Sequence, residues 1–525
     1  MPASLKTLLS LANLLHALAF FWQQFPALLY GMAFLLGCSF ALFPNAIFAI
    51  PFFLIWAPLF FQRPKLDTTT KRLLLGLIVL VSALAYVKFT IKFPDRASKQ
   101  ELDGIATFEI ESFSAATKHF GSSWRYTGKI LSFFADGEQI AKNLTAIIQF
   151  PSQFIPPDAD KSYNIEGILR EVTPQRYLLI PNKDKPWISI EGTFSLAKNR
   201  YQAKQKVSEY IRKHIHDSQS ANFLVGIATG NFQDRLMTYE FGRFGLQHIM
   251  AISGFHFAIV ASILNFLLSL IFPRWYVTLF LIFLLSSYFV FLGPSPSIMR
   301  AWIASILLFS SFLLERKSSG LNSLGIALLT ILIIDPQLCI NLGFQFSFVA
   351  TAAIFLLYPT MELLLRNLFP KRPLSIMIQM SQASQHGYTF LSACRHAIAL
   401  TLAINIVALP LTLFYFSKFP LMSLFYNLFF PFMVSISMTL LLLGSCLELL
   451  IPPLGTAVHF LNDNYTHFLL SYTYNIPTTI DLFIRSSSVT FESVVVFLCV
   501  AFGISISALF YQEKKREEID DWSFI

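Results

Sequence analysis

The chain has 525 residues, of which 55% are hydrophobic and only 13% are charged. This composition excludes an ordinary soluble globular protein and predicts a polytopic membrane protein with room for about ten spanning helices and one soluble domain. The formal net charge of +9 is spread over short loops between apolar runs, so we interpret it first as a determinant of membrane orientation and not as nucleic-acid binding.

Three apolar runs at residues 26–43, 45–61 and 73–89 predict the first spanning helices, and residues 5–22 form either a further span or an interfacial helix. A basic cluster at residues 63–72 separates the last two of these runs. By the positive-inside rule this cluster is cytoplasmic, and the segment after Phe89 emerges on the outer side. Residues 1–93 are therefore predicted to be an N-terminal set of transmembrane helices.

A soluble pattern follows over residues 94–203, where short β-type runs alternate with Gly, Pro, Asp and Asn. We predict a small extracytoplasmic β domain. Residues 204–243 are interpreted as an amphipathic helix and a lead-in to the membrane. Within that helix, the sequence K-H-I-H-D from Lys213 to Asp217 invites comparison with the metal motif H-x-H-x-D-H, but the final histidine is missing.

The core of the chain, residues 244–510, contains apolar runs at 275–292, 298–314, 321–334, 343–358, 397–416, 421–449 and 489–510. The basic loops between them alternate consistently with the cytoplasmic side if the β domain lies outside. This topology requires residues 453–476 to span or dip into the membrane. We predict about 10–12 spanning or reentrant helices in total, and a cytoplasmic tail at residues 511–525.

The stretch from Phe244 to Ile259 organises this core. It reads F-G-L-Q-H-I-M-A-I-S-G-F-H-F-A-I, and it combines apolar residues with polar ones and with two glycines. Polar groups at membrane depth must face protein or water, and broken helices there occur around cavities. The stretch is predicted to line a transmembrane path through its small and polar residues, namely Gly245, His248, Ser253, Gly254 and His256.

Two chemical alternatives for this stretch are weak. His248 and His256 are eight residues apart and do not share a face of one straight helix, whereas a helical two-histidine site uses the i, i+4 spacing. Ser253 lacks the first glycine of the G-x-S-x-G nucleophile motif, and no carboxylate is nearby to orient His256. The five cysteines show no C-x-x-C spacing. We predict no metal, no cofactor and no enzymatic activity.

The segment G-L-Q-H-I-M-A-I-S-G-F-H resembles the signature of the ComEC-type competence proteins, a family whose members pass single-stranded DNA across the inner membrane. Further pieces are similar to the same family in the same order: S-I-M-R-A from Ser297, D-P-Q-L-C-I-N-L-G-F-Q-F-S-F from Asp335, and A-L-P-L-T-L-F-Y-F with F-Y-N-L-F-F-P between Ala408 and Pro431. The resemblance covers about residues 220–450.

The resemblance implies an OB-like barrel for the β domain, and OB-folds bind single strands through aromatic platforms and a basic groove. The predicted contacts to single-stranded DNA are Trp124, Arg125, Tyr126, Arg176 and Tyr177, with Lys185 and Trp187 nearby. Residues 94–205 contain 14 basic and 13 acidic side chains, a net charge of +1. This balance argues against a strong electrostatic groove and leaves a purely structural domain open.

Five further residues are candidates for the transport path, each with a plain structural alternative. Arg300 matches the family's R-A position, and its alternative is snorkelling to lipid headgroups. Asp335 could simply end a helix, and Asn427 ahead of Pro431 could mark a kink with a buried hydrogen bond. Gln345 and Ser347 begin a helix whose N-terminus offers free amides to an anion.

These patterns predict a polytopic α-helical protein of the bacterial cytoplasmic membrane with an inserted OB-like domain. Its predicted function is a channel component that conducts single-stranded DNA inward during natural transformation. The expected partners are single-stranded DNA, the lipid bilayer, and separate receptor, nuclease and cytoplasmic motor proteins, with the oligomeric state open. Many family members carry a metallo-β-lactamase-like nuclease domain after the last helix, and this chain is expected to be a form without it. The alternatives are a transporter of nucleotides or other small anions, and a membrane-embedded hydrolase.

Overall fold

The structure is a computed structural model that describes residues 11–61, 68–94, 101–118, 121–151, 156–173, 175–232, 234–250, 252 and 254–522. Within these ranges the chain is mostly helical, and one β domain is inserted after the fourth described helix. That domain interrupts the chain where the sequence predicts it.

The N-terminal helices are α1 (Leu11–Gln24), α2 (Pro26–Leu42), α3 (Ala49–Phe61) and α4 (Thr68–Thr90), with a 3-10 turn at Ala46–Phe48. Pro26 opens α2, where the missing N–H and fixed φ of proline suit a first helical turn. α1 is bent from α2 by 103°. Residues 5–10 of the predicted first segment lie outside the described residues.

The β domain consists of β1 (Leu102–Lys118), β2 (Gly121–Ala135), β3 (Glu138–Pro151), β4 (Tyr163–Thr173), β5 (Arg176–Pro181) and the short β6 (Ile188–Ser189). The strand order is β1-β2-β3-β5-β4, and β1 also pairs with β4, so five strands close on themselves. β3 and β5 run parallel, whereas the other ladders are antiparallel. The inward side chains of Phe108, Tyr126, Ile130 and Phe133 are fully buried and form the barrel interior.

The β domain is joined to the helices by polar contacts. Lys129 Nζ on β2 lies 3.0 Å from Asp335 Oδ2. Two residues later, Gln337 Nε2 donates to the Asn143 carbonyl, and Gln337 Oε1 accepts from Thr145 N at 3.2 Å. At the β4–β5 turn, Gln175 Nε2 donates to the carbonyl of Leu42 at the end of α2 at 2.8 Å. The barrel is therefore held against both the N-terminal helices and the core.

The helices that follow the barrel are α5 (Ala197–His214), α6 (Ser218–Thr229), α7 (Arg235–Arg243), α8 (Gln247–Met250), α9 (Gly254–Ser269), α10 (Arg274–Leu292), α11 (Pro296–Leu313), α12 (Gly320–Ile334), α13 (Leu342–Arg366), α14 (Leu374–Gln379), α15 (Gln382–Phe416), α16 (Ser423–Leu450), α17 (Pro452–Tyr474) and α18 (Phe491–Trp522). A 3-10 turn at Pro336–Ile340 joins α12 to α13, and another lies at Thr478–Ile480. β7 (Lys418–Pro420) and β8 (Phe483–Arg485) form a separate antiparallel pair.

Seven of the described helices are long and apolar enough to cross a membrane, or eight if the bent pair of α1 and α2 is one span. The seven are α4, α10, α11, α13, α15, α16 and α18. Shorter apolar helices cover 46–59, 254–269 and 320–334. The seven long helices alone fall short of the predicted 10–12 spans, so further helices from among the bent pair, the shorter helices and α17 must also enter the bilayer to reach that total. α17 is one unbroken helix of 23 residues over the predicted segment 453–476.

Candidate functional site

The organising stretch forms a broken helix. α8 ends at Met250 and α9 begins at Gly254, with Ile252 outside any helix. Ser253, one of the predicted path residues, lies outside the described residues, as does Ala251. The first amide groups of α9 have no partner within their own helix, so the positive end of its dipole is centred on Gly254.

The guanidinium of Arg300 lies against this helix start. A Cβ built on Gly254 would be only 3.3 Å from Arg300 Nη2, so the absence of a side chain at Gly254 leaves the space that the guanidinium fills. Arg300 Nε donates to Ser347 Oγ at 2.7 Å. Three predicted residues from α9, α11 and α13 therefore meet at one point.

Among the residues that the structure describes, no carboxylate neutralises Arg300, and its guanidinium is largely removed from water. A half-buried cation without a counter-ion is costly. Together with the positive end of the α9 dipole, Arg300 makes this part of the bundle electropositive. This arrangement suits an anion, and a guanidinium binds phosphate oxygens in a bidentate manner.

The two histidines of the stretch lie on either side of the break. His248 belongs to α8, is exposed, and its Nδ1 lies 3.2 Å from the carbonyl of Gly245. His256 belongs to α9 and is 2% exposed. The two rings are close enough to influence each other electrostatically. Among the described residues, no group of three or more His, Cys, Asp or Glu side chains is arranged to hold a metal ion.

Gly245 lies against the start of α16. It has φ +68°, a left-handed conformation, and a Cβ there would be 2.6 Å from Ser423 Cβ and 2.8 Å from Pro420 Cγ. Ser423 Oγ and Asn427 Oδ1, one helical turn apart on α16, are buried and accept no hydrogen bond from any residue that the structure describes. The sequence predicts a buried hydrogen bond for Asn427, but its Oδ1 accepts none from the described residues. These acceptors lie on a helix that shares a hydrophobic cluster with residues 244–257 and α11.

Gln345 and Ser347 both begin α13 but face different neighbours. Gln345 Oε1 accepts from Tyr415 Oη at 2.6 Å, and Gln345 Nε2 donates to the Cys339 carbonyl at 3.0 Å. Two residues along a helix are about 200° apart, so Gln345 faces α15 whereas Ser347 faces α11. Asp335 is also separate from the Arg300 site, because it ends α12, caps the next turn through Gln337 N and pairs with Lys129.

The predicted DNA contacts of the β domain divide into buried and exposed residues. Tyr126 is fully buried and Tyr177 is 6% exposed, so no base can stack on either ring in this structure. Trp124 is half-buried and stacks on Phe113 at 5.3 Å. Arg125 and Arg176 are exposed. The half-buried Trp187 lies in an aromatic cluster with Tyr126, Phe150 and Tyr163, and Lys185 pairs with Glu166.

Sequence reasoning missed the residue that holds the organising stretch in place. Arg243 ends α7, is 7% exposed, and donates from Nε to Asp481 Oδ2 at 2.8 Å and from Nη1 to Glu240. The hydrogen bond to Asp481, assisted by Glu240, raises the pKa of Arg243 above its usual range. An arginine directly before an apolar run is a visible signal, but its partner Asp481 is too far along the chain to be paired with it by inspection.

A second polar cluster joins α5 to the later helices. His214 Nε2 lies 2.7 Å from Glu448 Oε1, and Tyr210 Oη donates to Glu448 Oε2 at 2.7 Å. The backbone amides of His216 and Asp217 instead donate to Asp463 Oδ2, at 2.8 and 3.3 Å. The residues of the K-H-I-H-D sequence thus contact two different carboxylates, those of Glu448 and Asp463. This geometry does not resemble a shared metal site.

A family model described as "Competence protein" matches residues 231–516 of the chain. A curated relative, ComE operon protein 3 of Bacillus subtilis (strain 168), is 24% identical over 157 residues. That match covers 28% of this chain and 20% of the relative, so the aligned part is about a fifth of the relative's length. No solved structure matches the chain. The family match includes all three residues of the Arg300 site.

Proposed function

Because the chain belongs to the competence protein family, we propose that it is a membrane channel component through which single-stranded DNA passes inward during natural transformation. The observation that carries this proposal is the position of Arg300. Its guanidinium lies beside the N-terminus of α9 and donates to Ser347 Oγ at 2.7 Å, with no neutralising carboxylate among the described residues.

The charge of the site favours an anionic substrate. A polyanion that crosses about 30 Å of hydrocarbon needs polar walls and few fixed negative charges. It also needs contacts weak enough for each phosphate to leave. Arg300 and the α9 amides provide one such contact. The unsatisfied acceptors on Ser423 and Asn427 add uncharged hydrogen-bonding groups on a helix of the same cluster.

The placement in the cytoplasmic membrane is part of the proposal. Seven long apolar helices support it, as does the concentration of basic residues at one set of helix ends, for example Lys371 and Arg372 between α13 and α15. The β domain then lies on the opposite, outer side. We propose no enzymatic activity for the described chain, and we expect DNA capture, strand degradation and cytoplasmic pulling to be supplied by separate receptor, nuclease and motor proteins.

The β domain is proposed to be an OB fold that guides the strand. In support, five strands close in the order β1-β2-β3-β5-β4 with β3 and β5 parallel. OB folds bind nucleic acid on the face of strands 2 and 3 and at the loops between strands 1 and 2 and between strands 4 and 5. The exposed Arg125 lies on β2, and Arg176 follows the β4–β5 turn.

The test is deletion of the gene in a transformable host, followed by measurement of labelled DNA inside the cytoplasm. Strand degradation products released outside the cell are measured in parallel. We expect the deletion strain to bind and degrade DNA but to accumulate no protected strand in the cytoplasm. Normal entry of the strand, together with loss of nucleotide or phosphate uptake, would instead identify the chain as a small-anion transporter.

A further inference from the structure

Two exposed cations face each other on the β7–β8 pair, and a third begins β5 of the barrel. Lys418 on β7 and Arg485 on β8 are directly opposite each other in the antiparallel ladder. Arg176, the first residue of β5, is close enough to Tyr415 on α15 to act on it electrostatically. All three side chains are exposed. We call this group the junction patch.

The pairing of Lys418 with Arg485 has an energetic cost. Side chains directly opposite in an antiparallel ladder have Cβ atoms about 5 Å apart, and like charges in this position are destabilising. Neither residue, nor Arg176, forms an ion pair with any residue in the described ranges. Lys418 Nζ lies 5.8 Å from the centre of the Phe483 ring, which positions the ammonium without neutralising it. An anion bound between the two strands would relieve the repulsion.

Arg176 brings a third charge to this surface from the barrel. Its position is fixed because the neighbouring Gln175 is 5% exposed and its Nε2 donates to the Leu42 carbonyl at 2.8 Å. The nearest acidic residue of the same turn, Glu171, accepts from Gln175 N at 2.7 Å and so serves the backbone of the turn. The turn thus holds Arg176 within electrostatic range of Tyr415, which precedes Lys418 by three residues.

We propose that the junction patch binds successive phosphates of a single-stranded nucleic acid as it leaves the barrel and before it reaches Arg300. This inference rests on the proposed function and adds a specific entry site to it. Nucleic acid is favoured over anionic lipid for two reasons. First, the patch lies on the barrel side of the bundle, where the positive-inside rule disfavours basic residues, so these cations need a reason other than membrane orientation. Second, anionic lipids are concentrated in the opposite, cytoplasmic leaflet.

The experiment measures binding of fluorescein-labelled oligothymidylate to the full chain in nanodiscs of phosphatidylcholine, over a range of salt concentrations. The test variant is Lys418→Gln with Arg485→Gln, and Arg176→Gln is examined separately. The matched control is Lys161→Gln with Lys183→Gln, which removes two exposed charges from other loops of the β domain. Gel filtration and circular dichroism verify that each variant is folded.

We expect the test variant to bind about tenfold more weakly than the wild type near 0.1 M salt. Its slope of log affinity against log salt should fall by about 1.4, because each phosphate contact on a single strand contributes about 0.7. Arg176→Gln should show about half of that change in slope. The control should retain the wild-type slope.

Three results would overturn the inference, and they have different meanings. If the wild type binds the strand and the test variant matches the control, the junction patch is not an entry site, but the Arg300 channel is unaffected. If the wild-type protein does not bind the single strand at any salt concentration, both the patch and the proposed function fail. If phosphatidylglycerol in the nanodiscs lowers wild-type binding to the level of the test variant and leaves the test variant unchanged, the patch binds lipid.

Discussion

The ammonium of Lys129 in the β domain lies 3.0 Å from the carboxylate of Asp335 at the end of α12. Their side chains are 19% and 11% exposed, so the pair is largely shielded from water. Burial alone lowers the pKa of Lys129, but the carboxylates of Asp335 and Glu111 outweigh it and raise the pKa above the usual value. The pair fixes the barrel to the core.

Loss of this ion pair should loosen the barrel. We expect Lys129→Gln or Asp335→Asn to lower the free energy of unfolding by about 1–3 kcal/mol, since each leaves a charge without its partner. In a double-mutant cycle by thermal unfolding, the coupling should be about 1 kcal/mol or more. Because the folded pKa of Lys129 is raised, the contribution is complete below pH ~10.4 and is lost as the pH rises through the folded pKa. Additive single effects would show that the two residues do not interact.

The packing of Arg300 against Gly254 leads to a steric prediction. Gly254→Ala places a methyl group about 3.3 Å from Arg300 Nη2, so the guanidinium must shift and DNA entry should fall partly. Gly254→Leu should fill the space and reduce entry by tenfold or more, which corresponds to about 1.4 kcal/mol.

The matched control is Gly503→Ala, where an added Cβ meets nothing within 4 Å. All variants are compared after equal amounts in the membrane have been confirmed. Wild-type entry in Gly254→Leu would exclude the space beside Arg300 as part of the path.

The left-handed conformation of Gly245 leads to a stability prediction. Gly137 also has a positive φ, +82°, but an added Cβ there meets nothing within 4 Å. Gly137→Ala should therefore show only the conformational cost of about 1–2 kcal/mol. Gly245→Ala should show that cost plus the clash with Ser423 and Pro420. Thermal unfolding of both variants measures the difference, and equal destabilisation would mean that the contact with α16 is loose.

A pH-dependent prediction concerns Lys204 on α5, whose Nζ donates to the Leu292 carbonyl at 2.8 Å. Burial, assisted by the nearby charge of Arg200, lowers its pKa to about 8. Because the folded pKa lies below the unfolded value of about 10.4, unfolding takes up a proton between these values. The free energy of unfolding should therefore rise with pH in that window.

The midpoint can be read directly from the pH dependence of Lys204 acylation, measured by mass spectrometry on the folded protein. We expect a midpoint near pH 8, and a higher midpoint in Arg200→Gln because one repelling charge is removed. An unchanged midpoint in that variant would show that Arg200 has no influence on Lys204.

Much of the helical architecture was predictable, because a helix that crosses a bilayer must be a long apolar run whatever its neighbours are. The runs at 275–292, 298–314 and 397–416 correspond to α10, α11 and the second half of α15. The break between His248 and His256 was also predictable, since a serine and a glycine interrupt an apolar stretch. Gly254 and Arg300 lie side by side, and that they line one transport path stays a prediction.

What the sequence could not supply is the direction in which neighbouring side chains point. Arg125 and Tyr126 were both predicted to contact DNA, but successive residues of a strand face opposite sides, and Tyr126 faces the barrel interior. For the same reason, the sequence could not show that Gln345 and Ser347 face different helices. It also could not reveal the partners of Arg243 and Lys129, because these partners are distant in the chain.

The most direct test of the account is entry of labelled single-stranded DNA into cells that carry Arg300→Gln. The comparison includes Arg300→Lys and, as a control, Arg274→Gln at an exposed helix start. We predict that Arg300→Gln abolishes entry while external DNA binding continues, and that Arg300→Lys retains part of it, because lysine keeps the charge but not the bidentate geometry. Arg274→Gln should transport normally. Normal entry in Arg300→Gln, at wild-type amounts in the membrane, would contradict the claim that phosphates pass this site.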